Sequence, residues 1–404
     1  MYRHNSLRMY DVCLSERFIF LVAYVTYALL YLARLNFSVV LPIFNEEFGF
    51  SKFSLGLIGG AYSISYAIGQ FVHGQLVEKY GPKRIILIGL LLSSLMNLLF
   101  GYVDVLVLFA IVWAINGFAQ AAGWPSVIKI VSRSFSSGFG KVGGFFGSCF
   151  LVGNVVAWPI IGYVVLCFGW RMAFVMPSIV LLILALLICL TVKDDGRGGL
   201  VKVGGFGWFE NFRRLFSSRN ILIIALAFVL LQFIRSVFTL WAPTYLFERY
   251  GLSLEFASYY AIAIPFGGIL GSIFSGWFLD RTSKFGKRLV LCILVLPLSF
   301  TILLLYYALS FSFAGGIFSL FLVGFTLYGP HVVMSTVIPM EFNEKYGGAS
   351  VAGFIDGLGY LGLMFADSFN GWLVDVYGWN SVMVFCFASS ISAIFLIAPF
   401  YKEK

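Results

Sequence analysis

The sequence has very little charge for its length. Only 11% of its 404 residues are Asp, Glu, Lys or Arg, whereas 60% are hydrophobic and the mean hydropathy is +0.95. Soluble domains carry about 25% charged residues, and the core of a soluble chain of this length could not bury so much apolar surface. The composition therefore excludes a soluble protein and indicates one that crosses the membrane several times.

Motifs that carry chemistry are scarce as well. The six cysteines are scattered through apolar stretches, without the close spacing of metal ligands. The sequence shows no nucleophile and base pair, metal cluster or phosphate loop, and the segments between the apolar runs are too short to hold a catalytic domain. We therefore expect no enzyme activity, no cofactor and no metal site.

Twelve apolar runs approach the roughly 20 residues that a helix needs to cross a bilayer. The first run is too long for a signal peptide, is interrupted by Arg34 and is followed by no small-residue cleavage site. The sequence therefore predicts an all-α polytopic membrane protein with twelve transmembrane helices, at 18–43, 54–76, 85–103, 105–130, 143–167, 172–192, 220–246, 256–279, 289–309, 312–338, 347–374 and 379–400.

Basic residues are distributed unevenly between the two ends of these helices. Of the 27 Lys and Arg residues, only Lys52, Arg171 and Arg249 fall between helices on the side opposite the termini. The positive-inside rule then predicts that both termini lie in the cytoplasm, and we expect the protein in the plasma membrane. The net charge of +9 reflects this topology and the anionic lipid headgroups, so a lipid bilayer is the expected partner and nucleic acid is not.

Two phrases recur about 200 residues apart. Arg34–Pro42 and Arg235–Pro243 both read Arg-x-x-Phe-(Ser/Thr)-x-x-x-Pro, and Phe48–Ser51 recurs as Tyr250–Ser253. Such repeats mark transporter folds built from duplicated helix bundles. They predict that six helices have been duplicated to form two pseudo-symmetric halves.

A charged, glycine-rich stretch separates the two copies. We place the first half at 1–192, a cytoplasmic linker at 193–219 and the second half at 220–404. Within the linker, Trp208–Phe216 fits either a short amphipathic helix on the inner membrane surface or an unstructured tether.

The repeated arginines, Arg34 and Arg235, predict an anion site. A guanidinium in hydrocarbon costs a few kcal/mol or more, so it normally faces a cavity that holds an anion. At 1.5 Å per residue, both lie at similar depth, about 24 Å and about 23 Å along their helices. Tyr27 and Tyr31 share a helical stripe with Arg34, as Gln70 does with Tyr66 on the next helix.

The loop after the second helix contains Gly-x-x-x-Glu-Lys-x-Gly-x-Lys-Arg, and a second copy follows the eighth helix. This motif is similar to the signature of the major facilitator superfamily, and the resemblance covers essentially the whole chain. An acid and a base at adjacent helix ends can form bonds that break when the halves rock. The resemblance implies such a conformational role for Glu78, Lys79, Arg84, Asp280, Arg281 and Arg288.

Within that superfamily the chain most resembles the organophosphate:phosphate antiporters of glycerol 3-phosphate, hexose phosphates and glucose 6-phosphate. The segments that carry the likeness are Tyr31–Pro42, Tyr66–Phe71, Asn116–Pro125, Trp241–Leu246, Tyr328–Pro330 and Gly359–Gly362. The resemblance implies that Arg34 and Arg235 bind the phosphate from the two halves. It places tyrosines around the cavity at Tyr27, Tyr31, Tyr66 and Tyr360.

The chain departs from that family at three cavity positions. Leu35 replaces a second cation, Gln70 stands where several antiporters carry lysine, and Phe150 aligns with a histidine of the glycerol-3-phosphate type. The site is therefore less positive than is typical of the family, and a carboxylate substrate becomes an alternative to a phosphate. On this alignment Gln70 lines the substrate site.

An alternative is a proton-coupled symporter of organic acids such as hexuronates, whose first helix carries a similar motif. That family typically supplies acids where this chain has Ala33 and Gln120, which favours exchange without protons. Two acids in helix eleven, Asp356 and Asp367, are candidates for coupling or for a counter-charge to the arginines. A sensor that keeps only the transporter core is a further alternative.

We therefore expect a monomer that exchanges a small organic anion for inorganic phosphate by alternating access. In this mechanism, the empty site resists reorientation because two unneutralised arginines would be brought together. The remaining polar groups of the predicted helices could line the cavity, but we favour hydrogen bonding between helices for each of them: Gln120, Gln232, Asn154 and His331.

Overall fold

The structure is a computed structural model that describes residues 18–134, 145–192, 208–282, 287–308 and 313–400. Every regular element in these ranges is a helix. In chain order the helices of eight or more residues are α1 Phe18–Phe48, α2 Lys52–Tyr80, α3 Pro82–Phe100, α4 Leu106–Val131, α5 Phe145–Phe168, α6 Met172–Thr191, α7 Trp208–Ser217, α8 Arg219–Thr239, α9 Ala242–Tyr250, α10 Leu254–Thr282, α11 Lys287–Ala308, α12 Phe313–Glu341, α13 Gly348–Tyr377 and α14 Trp379–Phe400. A four-residue helix, Asn343–Tyr346, lies between α12 and α13.

Eleven of the described helices are long and apolar enough to cross a membrane. The one predicted span outside this set, 347–374, corresponds to α13, which has 30 residues and carries Asp356 and Asp367 within it. Large apolar side chains cover the outer surface, where Leu190 is 76% and Phe395 71% exposed. Lipid accommodates such side chains, so the prediction of an all-α polytopic membrane protein is confirmed.

The two copies of the arginine motif differ in their backbone. Pro42 lies inside α1, and this helix continues to Phe48. The equivalent Pro243 lies in the first turn of α9, because α8 ends at Thr239 and the chain restarts as a helix at Ala242. The predicted single span 220–246 is therefore two helices. Proline is favoured in a first helical turn, where its missing N–H is not needed.

The turns that follow these helices are built alike. Gly49 ends α1 with φ 66° and Gly251 ends α9 with φ 60°, the left-handed conformation that glycine adopts most easily. Ser51 then accepts a hydrogen bond from the Ser54 N–H, as Ser253 does from Phe256 N–H, at 3.1 and 3.4 Å. The sequence repeat thus corresponds to a repeated structural unit, while the predicted boundaries of the halves stay a prediction.

The helices α2 and α13 are in close contact at two places along their length. A Cβ atom at Gly56 would lie 2.6 Å from the backbone oxygen of Asp367, and one at Gly353 would lie 2.6 Å from that of Gln70. We call the side on which α1 begins and α14 ends the terminal side, and the opposite side the far side. Gly56 allows close contact between α2 and α13 on the far side, and Gly353 allows it on the terminal side. The space between the two helices is therefore closed on both sides, as in an occluded conformation.

The short helix α7 lies on the terminal side, across the ends of α2 and α13. The ring of Phe212 packs edge-on against Phe71 of α2 and Phe354 of α13, with centroids 5.6 and 5.9 Å apart. The alternative of a helix at Trp208–Phe216 is therefore the one that the structure shows. The rest of the predicted linker, 193–207, lies outside the described residues.

Candidate functional site

The two arginines of the repeated motif meet at two tyrosine hydroxyls. Arg34 on α1 donates to the Tyr31 and Tyr360 hydroxyls, both at 3.0 Å. Arg235 on α8 donates to the same two hydroxyls, at 3.4 and 3.5 Å. Because Arg34 lies in the first six helices and Arg235 in the second six, each hydroxyl bridges guanidiniums from opposite halves. The structure thus brings together four of the predicted site residues.

Each arginine is also held by a glutamine. Arg34 Nε donates to Gln120 Oε1 at 3.1 Å, and Arg235 donates to Gln232 Oε1 at 3.1 Å. Gln120 is itself fixed because its amide donates to the Ala33 carbonyl oxygen at 2.8 Å. Gln120 and Gln232 therefore orient the guanidiniums. Gln120 does so by a hydrogen bond between helices, as interpreted from the sequence, whereas the bond from Arg235 to Gln232 lies within α8.

Aromatic rings surround the charged groups. The guanidinium carbon of Arg34 lies 4.6 Å from the ring centroids of Tyr31 and Tyr66, and 5.5 Å from that of Tyr62. Arg235 lies 5.7 Å from the centroid of Phe150. Rings at these distances attract a cation through their electron-rich faces. They hold the guanidiniums in place without neutralising their charge.

No carboxylate oxygen of the described residues lies within 4.0 Å of either guanidinium. Arg235 is only 4% exposed, and its Nε has no hydrogen-bond partner in the same part of the chain. Guanidinium groups prefer planar, two-pronged contact with phosphate or carboxylate oxygens. The arrangement is therefore suited to binding a small anion between the two halves.

A cavity that we call the far chamber opens from this cluster toward the far side. It has a volume of about 60 Å³ and is lined by both arginines, Tyr360 and Asp367. A water molecule needs roughly 10–15 Å³ on this measure, so the chamber has room for a small anion. Asp367 accepts hydrogen bonds from Ser63 of α2 at 2.9 Å and from Ser236 of α8 at 2.6 Å.

A second cavity, the terminal chamber, lies on the other side of the cluster and has a volume of about 20 Å³. Predicted site residues Tyr27, Tyr31, Tyr66, Tyr360 and Asp356 line it, together with Trp124, Phe150, Arg235, His331 and Ser335. The two acids of α13, Asp356 and Asp367, therefore face different chambers. Each chamber thus has one carboxyl among its lining residues, and the role of these acids as coupling groups or counter-charges stays a prediction.

Gln70 is not among the residues that line either chamber. Its side chain is fully buried, and within the described structure its amide has no hydrogen-bond partner. At this level α2 is already in contact with Gly353 of α13. In this conformation Gln70 therefore lies outside both chambers, and its placement in the substrate site stays a prediction.

The predicted conformational residues lie on the terminal side. Glu78 pairs at 2.5 Å with Lys129 of α4, which lies within the first six helices. Lys79 and Arg281 stack on nearby aromatic rings, Tyr80 and Trp277, both at 4.9 Å. Arg84 lies in the first turn of α3 and Asp280 in the last turn of α10, whereas the side chain of Arg288 lies outside the described residues.

An ion cluster between the halves on the far side was missed from the sequence. Lys52 Nζ of α2 lies 3.0 Å from Glu248 of α9 and 3.9 Å from Asp375 of α13. Asp375 also accepts from the Phe53 N–H at 3.1 Å. The available signal was that Lys52 is one of only three basic residues between helices on that side. This cluster must separate if the halves part there.

The chain that carries this site matches a known protein family over most of its length. The model of the Major Facilitator Superfamily matches residues 23–366, which is most of the chain. The chain belongs to the Major Facilitator Superfamily. This superfamily consists of membrane transporters, and the match includes both arginines, all four tyrosines and Asp356.

Relatives with transporter names are similar over nearly the whole chain. A glycerol-3-phosphate transporter of Bacillus subtilis (strain 168) is 29% identical over 410 residues, which are 94% of this chain and 91% of the relative. A probable hexose phosphate transport protein of Chlamydia pneumoniae is 26% identical over 411 residues, 94% of this chain and 90% of the relative. Both relatives carry an organophosphate in their names.

A solved structure supports the fold. The crystal structure of a bacterial homologue of the human lysosomal transporter Spinster, inward-facing and unoccupied, superposes with a TM-score of 0.71. It covers 96% of each chain at 15% sequence identity. At this identity the likeness shows the major facilitator fold and nothing about substrate.

The bridging hydroxyls allow a first test of the site. Each hydroxyl oxygen accepts from both arginines, which leaves its hydrogen to donate to a bound anion. Replacing Tyr31 or Tyr360 with phenylalanine removes the hydrogen bond from that hydroxyl to the anion, which contributes about 1 kcal/mol to the binding free energy. We expect phosphate affinity, measured by equilibrium binding to purified protein, to fall about fivefold in each single variant and about 25-fold in the double variant.

Tyr163→Phe is the matched control, because Tyr163 is 54% exposed on the outer surface of α5. Its phosphate affinity should equal that of the wild type. Equal affinity in the double variant would remove both hydroxyls from the anion site.

Proposed function

We propose that this protein exchanges an organophosphate, such as a sugar phosphate or another phosphate monoester, for inorganic phosphate. The observation that supports the proposal most strongly is the guanidinium pair, one from each half, joined by two tyrosine hydroxyls and without a carboxylate in contact. The organophosphate transporters among the relatives give the substrate class.

The proposed mechanism is alternating access around the arginine pair. Bound phosphate draws Arg34 and Arg235 together and so favours the occluded form. Opening to the far side separates the Lys52 cluster, and opening to the terminal side separates Gln75 of α2 from Ser350 of α13, which are hydrogen-bonded at 3.1 Å. In this proposal the terminal side is the cytoplasm, both termini lie there, and the protein acts as a monomer in the plasma membrane.

Transport into vesicles tests the substrate class. The purified protein is reconstituted, inorganic phosphate is loaded inside, and uptake of radiolabelled organophosphates and organic acids is compared. We expect uptake of phosphate monoesters, inhibition by external phosphate and little inhibition by a hexuronate. Strong inhibition by the hexuronate with none by phosphate would overturn the proposal, and binding without any uptake would favour a sensor.

Exchange should depend little on a proton gradient. Gln120 occupies the position at which organic-acid symporters carry an acid, and here it binds Arg34. Collapse of the pH gradient with an ionophore should change organophosphate uptake into phosphate-loaded vesicles by less than about twofold. Uptake into vesicles that lack internal phosphate, abolished by the ionophore, would instead indicate proton symport and direct attention to Asp356 and Asp367.

A further inference from the structure

The polar groups of the two chambers differ in how well they are paired. In the far chamber, both oxygens of Asp367 accept serine hydrogen bonds, and Thr239 shares a hydrogen bond with Tyr328 at 3.2 Å. In the terminal chamber, no hydrogen bond from the described residues reaches the carboxylate of Asp356, which is 7% exposed. Neither ring nitrogen of His331, 5% exposed, has a partner in that same part of the chain.

The backbone beside His331 is also irregular. Residues Val333–Val337 of α12 form a turn of π-helix that begins two residues after His331. His331 and Ser335 both line the terminal chamber. A π-turn in a longer helix is rare and often occurs at functional sites, and buried polar groups normally have partners. The unpaired acceptors therefore lie where a ligand can supply hydrogen-bond donors.

Charge sets a second condition on that ligand. Arg235 lines the chamber at the end that holds the guanidinium pair, and Asp356 supplies the only carboxylate among the lining residues. A phosphate bound at the arginines would therefore direct the rest of its molecule toward a carboxylate and an imidazole. A hydroxyl can donate its one hydrogen to either group, whereas a second anionic group would be repelled by the carboxylate.

We propose that the terminal chamber binds the organic part of the substrate, and that Asp356 and His331 select uncharged polyol phosphates over phosphorylated acids. This inference rests on the proposed function and deepens it by naming the substrate class. At about 20 Å³ the chamber holds only about one water molecule. The polyol therefore occupies it when the protein widens toward the terminal side, with its hydroxyls donating to Asp356 and His331.

The test is ligand binding to the full-length protein purified in detergent, followed as the rise in unfolding temperature that a bound ligand causes. The ligands are inorganic phosphate, glycerol 3-phosphate and 3-phosphoglycerate, of which the last two share a phosphate and a three-carbon chain. We expect the wild type to bind glycerol 3-phosphate at least about tenfold more tightly than 3-phosphoglycerate. In Asp356→Asn this preference should fall to about threefold or less.

Two further variants isolate the effect. Asp367→Asn removes an equivalent carboxylate from the far chamber and should keep the wild-type preference. His331→Leu should lower the affinity for glycerol 3-phosphate relative to inorganic phosphate by about fivefold or more. This second variant decides the question if Asp356→Asn does not fold.

The possible results separate the inference from the proposed function. A wild type that binds none of the three phosphates overturns both. The inference alone is overturned if phosphate binds but both affinity ratios stay within about twofold of the wild type. These ratios are glycerol 3-phosphate over 3-phosphoglycerate in Asp356→Asn, and glycerol 3-phosphate over inorganic phosphate in His331→Leu. An equal loss of preference in Asp367→Asn would also overturn it, because the selection would then not belong to the terminal chamber.

Discussion

Replacing either Arg34 or Arg235 with lysine is expected to lower organophosphate transport at least about 30-fold while the protein still inserts in the membrane. Lysine keeps the positive charge but loses the planar fork that contacts two oxygens at once. Losing one partner of a buried, charged hydrogen-bonded pair costs about 2 kcal/mol or more, which corresponds to this factor. The measurement is initial uptake into phosphate-loaded vesicles, normalised to the amount of reconstituted protein.

Arg171→Lys is the matched control. The Arg171 side chain is 46% exposed on the far side, where it pairs with Asp104. It should retain nearly full uptake, because an exposed pair contributes little. Near wild-type uptake by either Arg34→Lys or Arg235→Lys would remove that arginine from the anion site.

Bulky residues at the two α2–α13 contacts are expected to hold the protein open in opposite directions. The Cβ atom of a leucine at position 353 would lie 2.6 Å from the backbone oxygen of Gln70. The Cβ atom of a leucine at position 56 would lie 2.6 Å from the backbone oxygen of Asp367. Both distances are shorter than van der Waals contact. Backbone cannot yield as a flexible side chain does. Gly353→Leu should therefore prevent closure on the terminal side, and Gly56→Leu on the far side.

Both variants should lose at least about 90% of exchange, because alternating access needs both closures. Spin labels at Tyr102 of the first half and Tyr307 of the second report the far side, where both side chains are exposed. The distance between them should increase in Gly56→Leu and should not increase in Gly353→Leu. Equal distances in the two variants, or retained exchange, would contradict the assignment of these contacts to the two closures.

The sequence was sufficient to predict the transmembrane helices, the duplication and the arginine cluster, and the reasons are physical. The span of a helix follows from the thickness of the bilayer. A buried guanidinium is so costly that its position points to a binding site. Tyr31 could be assigned because helical spacing alone places it one turn from Arg34.

Features that depend on how helices meet could not be predicted. Gln70 shares a stripe with Tyr66, but α2 meets α13 at Gly353, so only part of that stripe faces a cavity. Gln120 binds Arg34 from another helix, and this contact exists only because α1 and α4 pack together. The break at Pro243 was missed because the equivalent Pro42 is tolerated within α1.

The most direct test of the central claim is efflux of radiolabelled inorganic phosphate from proteoliposomes. The account predicts slow efflux into buffer, a strong increase when an organophosphate is added outside, and no increase in Arg34→Lys or Arg235→Lys. Efflux at the same rate with and without external organophosphate would contradict exchange at the arginine pair.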